Sequence, residues 1–414
     1  MKSDSVWLVS LWVSGASLGA GLLALPIQSG LAGLVPALSG LVFIWALMLG
    51  SGIILADFFV DMKQPSAGLF TLFKQGVGSW SRWLVTPGFL LVFYGLLIAY
   101  LSGSGAVLAS LLHLPKLEWL LLLLFFLICT GSVLVGLGFI HRANMGFMVL
   151  LLGSFMVMLL LVGKHIESKN LVYQDWKFLP STLPIILCSF AYQNIIPSVC
   201  TSLHNDRVQI RRALFYGTLI SLLVNGLWVL VVVGVLPLDG ESSLLNAFHQ
   251  NQPATIPLAQ SIPAGDIQFF SLLFSLAALF TSYVAVGEGL RNFLTDLLGN
   301  AQNKDNRRWL AAGLTFIPPL LITLIYPQLF LKVLNLVGGL AIALLFGLLP
   351  AIILFYQTRK KKRKWQQIIA VLLCMIFSLL FLLECGQEAG LLQIHPQVEY
   401  MWHGPIQPGK ASPN

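Results

Sequence analysis

Two short stretches of this sequence put polar and helix-weakening residues inside long apolar runs. The first is Ser14-Gly15-Ala16-Ser17-Leu18-Gly19-Ala20-Gly21, followed by Leu22-Leu23-Ala24-Leu25-Pro26. Each glycine in a helix interior costs about 1 kcal/mol relative to alanine, so helical continuity is weakest there. The second is Ser189-Phe190-Ala191-Tyr192-Gln193-Asn194-Ile195-Ile196-Pro197-Ser198. It sets Gln193 beside Asn194, a costly pair in an apolar setting without partners, and Pro197 brings no backbone donor. A helix that stops and restarts exposes unpaired N–H groups at one end and unpaired C=O groups at the other. The N–H ends suit a carboxylate, and the carbonyl ends suit an ammonium or other cation.

Other polar side chains could line a site beside these breaks. One set is Tyr94, Tyr100 and Ser102-Gly103-Ser104-Gly105; another is Thr281-Ser282-Tyr283 with Glu288 a little further on. A tyrosine hydroxyl in an apolar region needs a partner, which a bound carboxylate or a neighbouring helix could equally supply. Glu288 reads either as a proton-coupling group or as a helix-end partner of Arg291, and Asp57 and Glu384 near segment ends read similarly. The glycines alone would also serve close helix packing. It is the pairing of two breaks that favours a binding site.

The elements that must position these residues follow from composition. Of 414 residues, 57% are hydrophobic and 10% charged, whereas a soluble domain carries about a quarter charged. Apolar runs of the roughly 20 residues needed to cross a bilayer recur about eleven times, near 6–30, 34–57, 83–111, 117–138, 143–163, 180–202, 213–236, 267–290, 308–326, 330–357 and 365–385. The breaks fall in spans 1 and 6, which implies a repeat of five spans. Five is odd, so the second copy enters the membrane from the opposite side. Paired interruptions in two inverted halves point to a transporter's substrate site. The expected organisation is a first repeat over 1–163, a second over 180–357, an eleventh span over 365–385 and an external tail over 386–414. Met1-Lys2-Ser3-Asp4 leads straight into span 1, which reads as a permanent helix rather than a cleaved signal.

The 24 Lys and Arg residues fall about threefold more often on the side of the N-terminus, which predicts N-terminus in, C-terminus out. The Arg359 to Lys364 run belongs to that bias, so the net charge of +8 requires no nucleic-acid partner. Cys129, Cys188, Cys200, Cys374 and Cys385 are scattered without a CxxC pair, unlike a disulfide framework or metal site. No nucleophile–base pair, metal-ligand cluster or phosphate-binding loop stands out. The sequence therefore predicts no enzyme, no cofactor and no metal, and the expected partners are a small molecule and the lipid bilayer.

Several motifs in fixed order resemble the hydroxy and aromatic amino acid permeases, the family of tyrosine- and tryptophan-specific permeases within the amino acid/polyamine/organocation superfamily. These are Gly15 to Pro26, Ala99-Tyr100-Leu101-Ser102-Gly103-Ser104-Gly105, Ser189-Phe190 with Ile196-Pro197-Ser198, Thr281-Ser282-Tyr283 through Asp296, Thr315-Phe316-Ile317-Pro318-Pro319 and Tyr326-Pro327. The resemblance covers roughly 5 to 355. It implies an all-α membrane protein of eleven helices with a five-plus-five inverted-repeat, LeuT-like core, discontinuous helices 1 and 6, and proton-driven import of amino acids across a bacterial inner membrane. Carried over by position, Ser17, Leu18, Gly19, Ala20 and Gly21 with Phe190, Ala191, Tyr192, Gln193 and Asn194 would bind the substrate's backbone groups. Tyr100, Ser282 and Tyr283 would select its side chain. The chain departs from the family's Phe-Gly-Phe-His-Gly-like sixth helix at Phe190 to Asn194, where Gln193 replaces a titratable histidine. An aromatic cargo leads; a serine, threonine or other small neutral cargo is the alternative, and a receptor without flux is the reading from another class.

Overall fold

The computed structural model describes residues 5–19, 21–62, 68–135, 137–262, 264–298, 304–360 and 363–392, with backbone alone for 137–145, 296, 304, 305, 307 and 360. Its elements are helices, and no strand occurs among the described residues. Ten are long and apolar enough to cross a bilayer, and a bent pair, Val6–Ser17 and Gly21–Gly30, supplies an eleventh. We number these spans 1 to 11: the bent pair, then Leu34–Met62, Ser79–Leu111, Pro115–Val135, Gly146–His165, Trp176–Ser202, Arg207–Val235, Gly265–Thr295, Arg308–Ile325, Phe330–Arg359 and Lys364–Glu388. The apolar runs of the sequence thus become the helices expected, several of them extended by a turn or more at polar ends. Positions 393–414 of the expected tail lie outside the described residues.

Outward faces carry Leu, Ile, Val, Phe and Trp, such as Leu127, Val149, Leu160 and Leu382, each more than half exposed. Their natural solvent is lipid, in which every backbone polar group must be satisfied within the protein. The buried faces instead carry small residues that let helices approach closely. The first half of span 1 lies along span 7, where a Cβ on Gly217 would sit 2.6 Å from the Ser10 carbonyl oxygen. Span 10 lies between spans 6 and 11: a Cβ on Gly338 would strike the Pro184 carbonyl, and one on Gly339 the Glu384 side chain. That same stretch, Val337–Leu348, is wound as a π-helix, a wider coil that frequently marks functional sites.

Local chemistry fixes the ends. Asp206 caps span 7 by accepting from the backbone N–H groups of Val208 and Gln209 at 2.9 and 3.2 Å. Those donors, Gln209 foremost, hold its carboxyl below the usual carboxylate range. Asp57 pairs with Arg211 at 2.6 Å and Asp61 with Arg207, tying span 2 to span 7. Exposed pairs of this kind contribute little stability. Helix contact carries more, so Gly217→Val is expected to destabilise the packing of spans 1 and 7 by about 1–3 kcal/mol. Thermal unfolding of the purified protein in detergent should show a lower midpoint. An unchanged midpoint would mean that this seam is loose.

Candidate functional site

Span 1 stops where its sequence turns to small residues. The first half ends at Ser17, with the Leu18 N–H closing onto the Ser14 carbonyl at 2.9 Å. The chain restarts at Gly21 with its axis turned by 61°. Ser17 is anchored from behind, its hydroxyl bonded to the Ser14 carbonyl and to the Ser221 hydroxyl of span 7. Gly19 and Gly21 present backbone where a side chain would intrude. A Cβ on Gly19 would lie 3.0 Å from Ser282 Oγ, and one on Gly21 3.2 Å from Ser189 Oγ. The first turn of Gly21–Gly30 leaves N–H groups without partners in the helix and carries the positive end of its dipole.

Span 6 breaks at the same level. Its first helix, Leu179–Ser189, closes with Phe190 N–H onto the Leu187 carbonyl at 3.2 Å. A single 3-10 turn, Gln193–Ile195, leads into Ile196–Ser202. Pro197 sits in the first turn of that second helix, where a missing N–H costs nothing. It starts the second half rather than interrupting a continuous one. The C-terminal, negative dipole end of Leu179–Ser189 lies beside the restart of span 1, where a Cβ on Gly21 would come within 3.4 Å of Ser189 Cα.

Between the two breaks lies a cavity of about 450 Å³. One wall is backbone and small residues: Gly15, Ala16, Ser17, Leu18, Gly19 and Gly21 of span 1, with Ala191 and Asn194 of span 6. The facing wall is aromatic and aliphatic, with Phe89, Phe93, Leu96 and Tyr100 from span 3, Phe346 from span 10 and Val286 from span 8. The Tyr100 hydroxyl pairs with the Ser282 side chain beside the backbone wall. Trp12, Asn194 and Ala285 are exposed along its edge, whereas Tyr100 and Phe346 are buried. Opposite dipole ends beside an apolar wall can take the charged groups of a zwitterion on one side and an apolar side chain on the other.

The chain matches the tryptophan/tyrosine permease family over residues 2–386. It belongs to that family. Tyrosine-specific transport system 1 of Haemophilus influenzae is 30% identical over 338 residues, which cover 80% of this chain and 82% of that protein. The low affinity tryptophan permease of Escherichia coli K12 is 24% identical across 87% of this chain and 88% of its own length. Among solved structures, MhsT in complex with L-phenylalanine superposes with a TM-score of 0.63 at 15% identity, covering 93% of this chain and 98% of MhsT. A manganese transporter of Eremococcus coleocola follows with a TM-score of 0.60 at 16% identity, covering 97% of this chain and 92% of its own. These two likenesses establish the LeuT-like transporter fold. The family's curated relatives are transport proteins.

Within this permease the residues expected from sequence divide into two groups. Ser17, Leu18, Gly19, Gly21, Tyr100, Ala191, Asn194 and Ser282 line the cavity; Ala20 lies outside the described residues. Phe190, Tyr192, Gln193 and Tyr283 do not line it. Phe190 is fully buried in the core. Gln193 serves the fold: its Oε1 accepts from the Tyr192 N–H at 3.0 Å and its Nε2 donates to the Met48 carbonyl at 3.2 Å. The Tyr192 hydroxyl donates to the same carbonyl. Tyr283 bonds Thr130 at 2.8 Å and stacks on Phe316. Its neighbour Ser282 lines the cavity because successive residues of a helix point about 100° apart.

Glu288 does not line the cavity either, nor does it pair with Arg291, whose Nη1 donates to the Val133 carbonyl at 3.2 Å. Tyr94 is a packing residue that donates to the Leu314 carbonyl. Glu384, for which the sequence left a proton-coupling role and a helix-end partner both open, is 2% exposed with Oε2 unpaired. The aromatic wall was missed, because Phe89, Phe93 and Phe346 read as ordinary span residues. The spacing of Phe89, Phe93 and Leu96, at i, i+4 and i+7, was the available signal of a common face.

The division predicts opposite defects at adjacent positions. Gln193→Ala leaves the Tyr192 amide without its acceptor, at about 1–3 kcal/mol for a buried group, and should lower the unfolding midpoint while sparing the apparent KM for substrate. Asn194→Ala should raise KM with little loss of stability. Thermal unfolding and uptake kinetics on both variants check this; a raised KM for Gln193→Ala alone would reverse the assignment.

Proposed function

We propose that this permease imports an aromatic amino acid, tyrosine or tryptophan, by proton symport across a bacterial inner membrane. The observation that carries the reading is the cavity's division into a backbone wall at two helix breaks and an aromatic wall facing it. The substrate's carboxylate sits at the N-terminal end of Gly21–Gly30, and its ammonium meets the carbonyl ends of Val6–Ser17 and Leu179–Ser189. Its ring packs against Phe89 and Phe93, with offset or edge contacts worth about 0.5–1.5 kcal/mol beyond area burial. The tyrosine and tryptophan specificities of the relatives support the same substrate class.

The charge bias supports an inward N-terminus and an outward C-terminus. In that orientation the exposed lining residues Trp12 and Ala285 lie toward the cytoplasmic ends of spans 1 and 8. The cavity is then the inward-open form of the site. The alternative cargo, serine or threonine, drew on Gln193 and Asn194 as polar pocket groups. Only Asn194 reaches the cavity, which weakens that alternative. The receptor reading differs by predicting binding without flux.

Uptake into proteoliposomes of labelled tyrosine, tryptophan, phenylalanine and serine, with and without an inside-alkaline gradient, tests the proposal. Tyrosine or tryptophan should accumulate with the gradient and serine should not. Gly19→Leu, which fills the cavity beside Ser282, should abolish uptake while the protein still inserts. Gradient-independent uptake of all four, or binding without uptake, would overturn the proposal.

A further inference from the structure

A second cavity, of about 330 Å³, lies where the beginning of span 10 meets the end of span 11 and the connection between spans 7 and 8. Its polar lining includes Asn335, Lys332, Glu384, Gln387, Glu388 and His249. Glu384 is the unusual member. It is 2% exposed, and its Oε2 has no hydrogen-bond partner; Asn335 Oδ1 and Gln387 Nε2 are also buried and unpaired. Span 10 makes room for the carboxyl by carrying glycine: a Cβ on Gly339 would lie 2.6 Å from Glu384 Cγ. No ion pair to Glu384 occurs among the described residues. A carboxylate removed from water without a partner is costly, and binding one proton removes the charge.

The charged and titratable groups around it can be named element by element. Span 11 itself adds Glu388, the start of span 10 adds Lys332, and the helix Leu244–His249 adds His249. The first helix of span 6 brings only Cys188. Past its π-helix, span 10 brings Tyr356 and Arg359, at the opposite end of the bundle. Lys332, Glu388 and His249 are exposed, so Glu384 is the enclosed titratable group of the set.

The cavity is also wired to the substrate site. Asn335 Nδ2 donates to Gln28 Oε1 at 2.6 Å, and Gln28 Nε2 donates to the Ser181 carbonyl at 2.8 Å. One layer of amides thereby joins span 10 to the second half of span 1 and the first half of span 6. Gln28 lies about two turns, ~10 Å, beyond Gly21. From Asn335, span 10 runs through its π-helix to Ile342 and Phe346, which line the substrate cavity.

We propose that Glu384 is a proton-binding site, filled from the outer side, whose occupancy is linked to movement of span 10 against spans 1 and 6. A hydronium ion gives its proton to the free carboxylate oxygen and leaves as water. The neutral carboxyl favours the enclosed arrangement seen here, with the outer end closed and the substrate cavity open at its other end. The carboxylate favours hydration of this end and opposes closure. External acidity therefore promotes passage of loaded carrier inward, and the linkage is reciprocal. This inference rests on the transport reading above and adds the residue through which external protons act.

The test is exchange of labelled against unlabelled tyrosine in proteoliposomes with equal pH on both sides, which needs no gradient. With closure of the loaded outer end as the slow step, wild-type exchange should be several-fold faster at about pH 6 than at about pH 8, up to ~10-fold per pH unit for one proton. Glu384→Gln, an isosteric neutral side chain, should exchange at the fast rate at both pH values. Glu388→Gln and His249→Asn should keep the wild-type profile. A wild-type profile in Glu384→Gln, or a flat one in His249→Asn or Glu388→Gln, would overturn the assignment. So would a profile that shifts when sodium replaces choline, which would mark a metal-cation site. No exchange of any aromatic amino acid by the wild type would instead overturn the transport reading itself.

Discussion

A backbone amide that leaves its helix inside a bilayer has no water to turn to. Irregular chain at that depth survives only where protein or a polar cavity satisfies it. Spans 1 and 6 each abandon their helix at the same level, and the rest of the bundle is arranged around that fact. Ser221 holds Ser17 from span 7, and Gln193 caps the Tyr192 amide while reaching the Met48 carbonyl of span 2. Residues of both breaks line one cavity. Helix ends of opposite polarity there would suit, from backbone alone, the carboxylate and ammonium of an amino acid.

The same arrangement separates general recognition from specificity. On the proposed reading, backbone at Leu18, Gly19 and Gly21 would recognise what all amino acids share, and Phe89, Phe93 and Phe346 would shape the space for what distinguishes them. Glycine at position 19 lets span 1 lie close to span 8, because a side chain there would meet Ser282. Further along the bundle, Gln28 and Asn335 join spans 1, 6 and 10 into one layer. Changes in the second half of span 1 thus have a direct route to span 10 and to the carboxyl of Glu384.

Much of this was legible in the sequence, and for a physical reason. Lipid demands long apolar runs, so all the spans show; polar or glycine-rich interruptions are costly there, so the two breaks show as well. Side-chain direction was less legible. Within Phe190 to Asn194 the chain turns through one 3-10 step, and helical periodicity does not say which residue faces the cavity; Asn194 does, whereas Gln193 faces span 2. The aromatic wall was hidden because phenylalanine in a span is ordinary until a partner wall is known. For Glu384 the sequence left a proton-coupling group and a helix-end partner both open, and its burial against Gly339 shows only in the packing of spans 10 and 11.

The proposed function turns on whether the paired breaks form one amino-acid site. The most direct test is an experimental structure of the permease with tyrosine bound. Density is expected between Ser17–Gly21 and Phe190–Asn194, with the ammonium and carboxylate against the helix ends and the ring toward Phe89 and Phe93. Density in the cavity beside Glu384 alone, or a continuous helix through Gly19 with the ligand elsewhere, would contradict it.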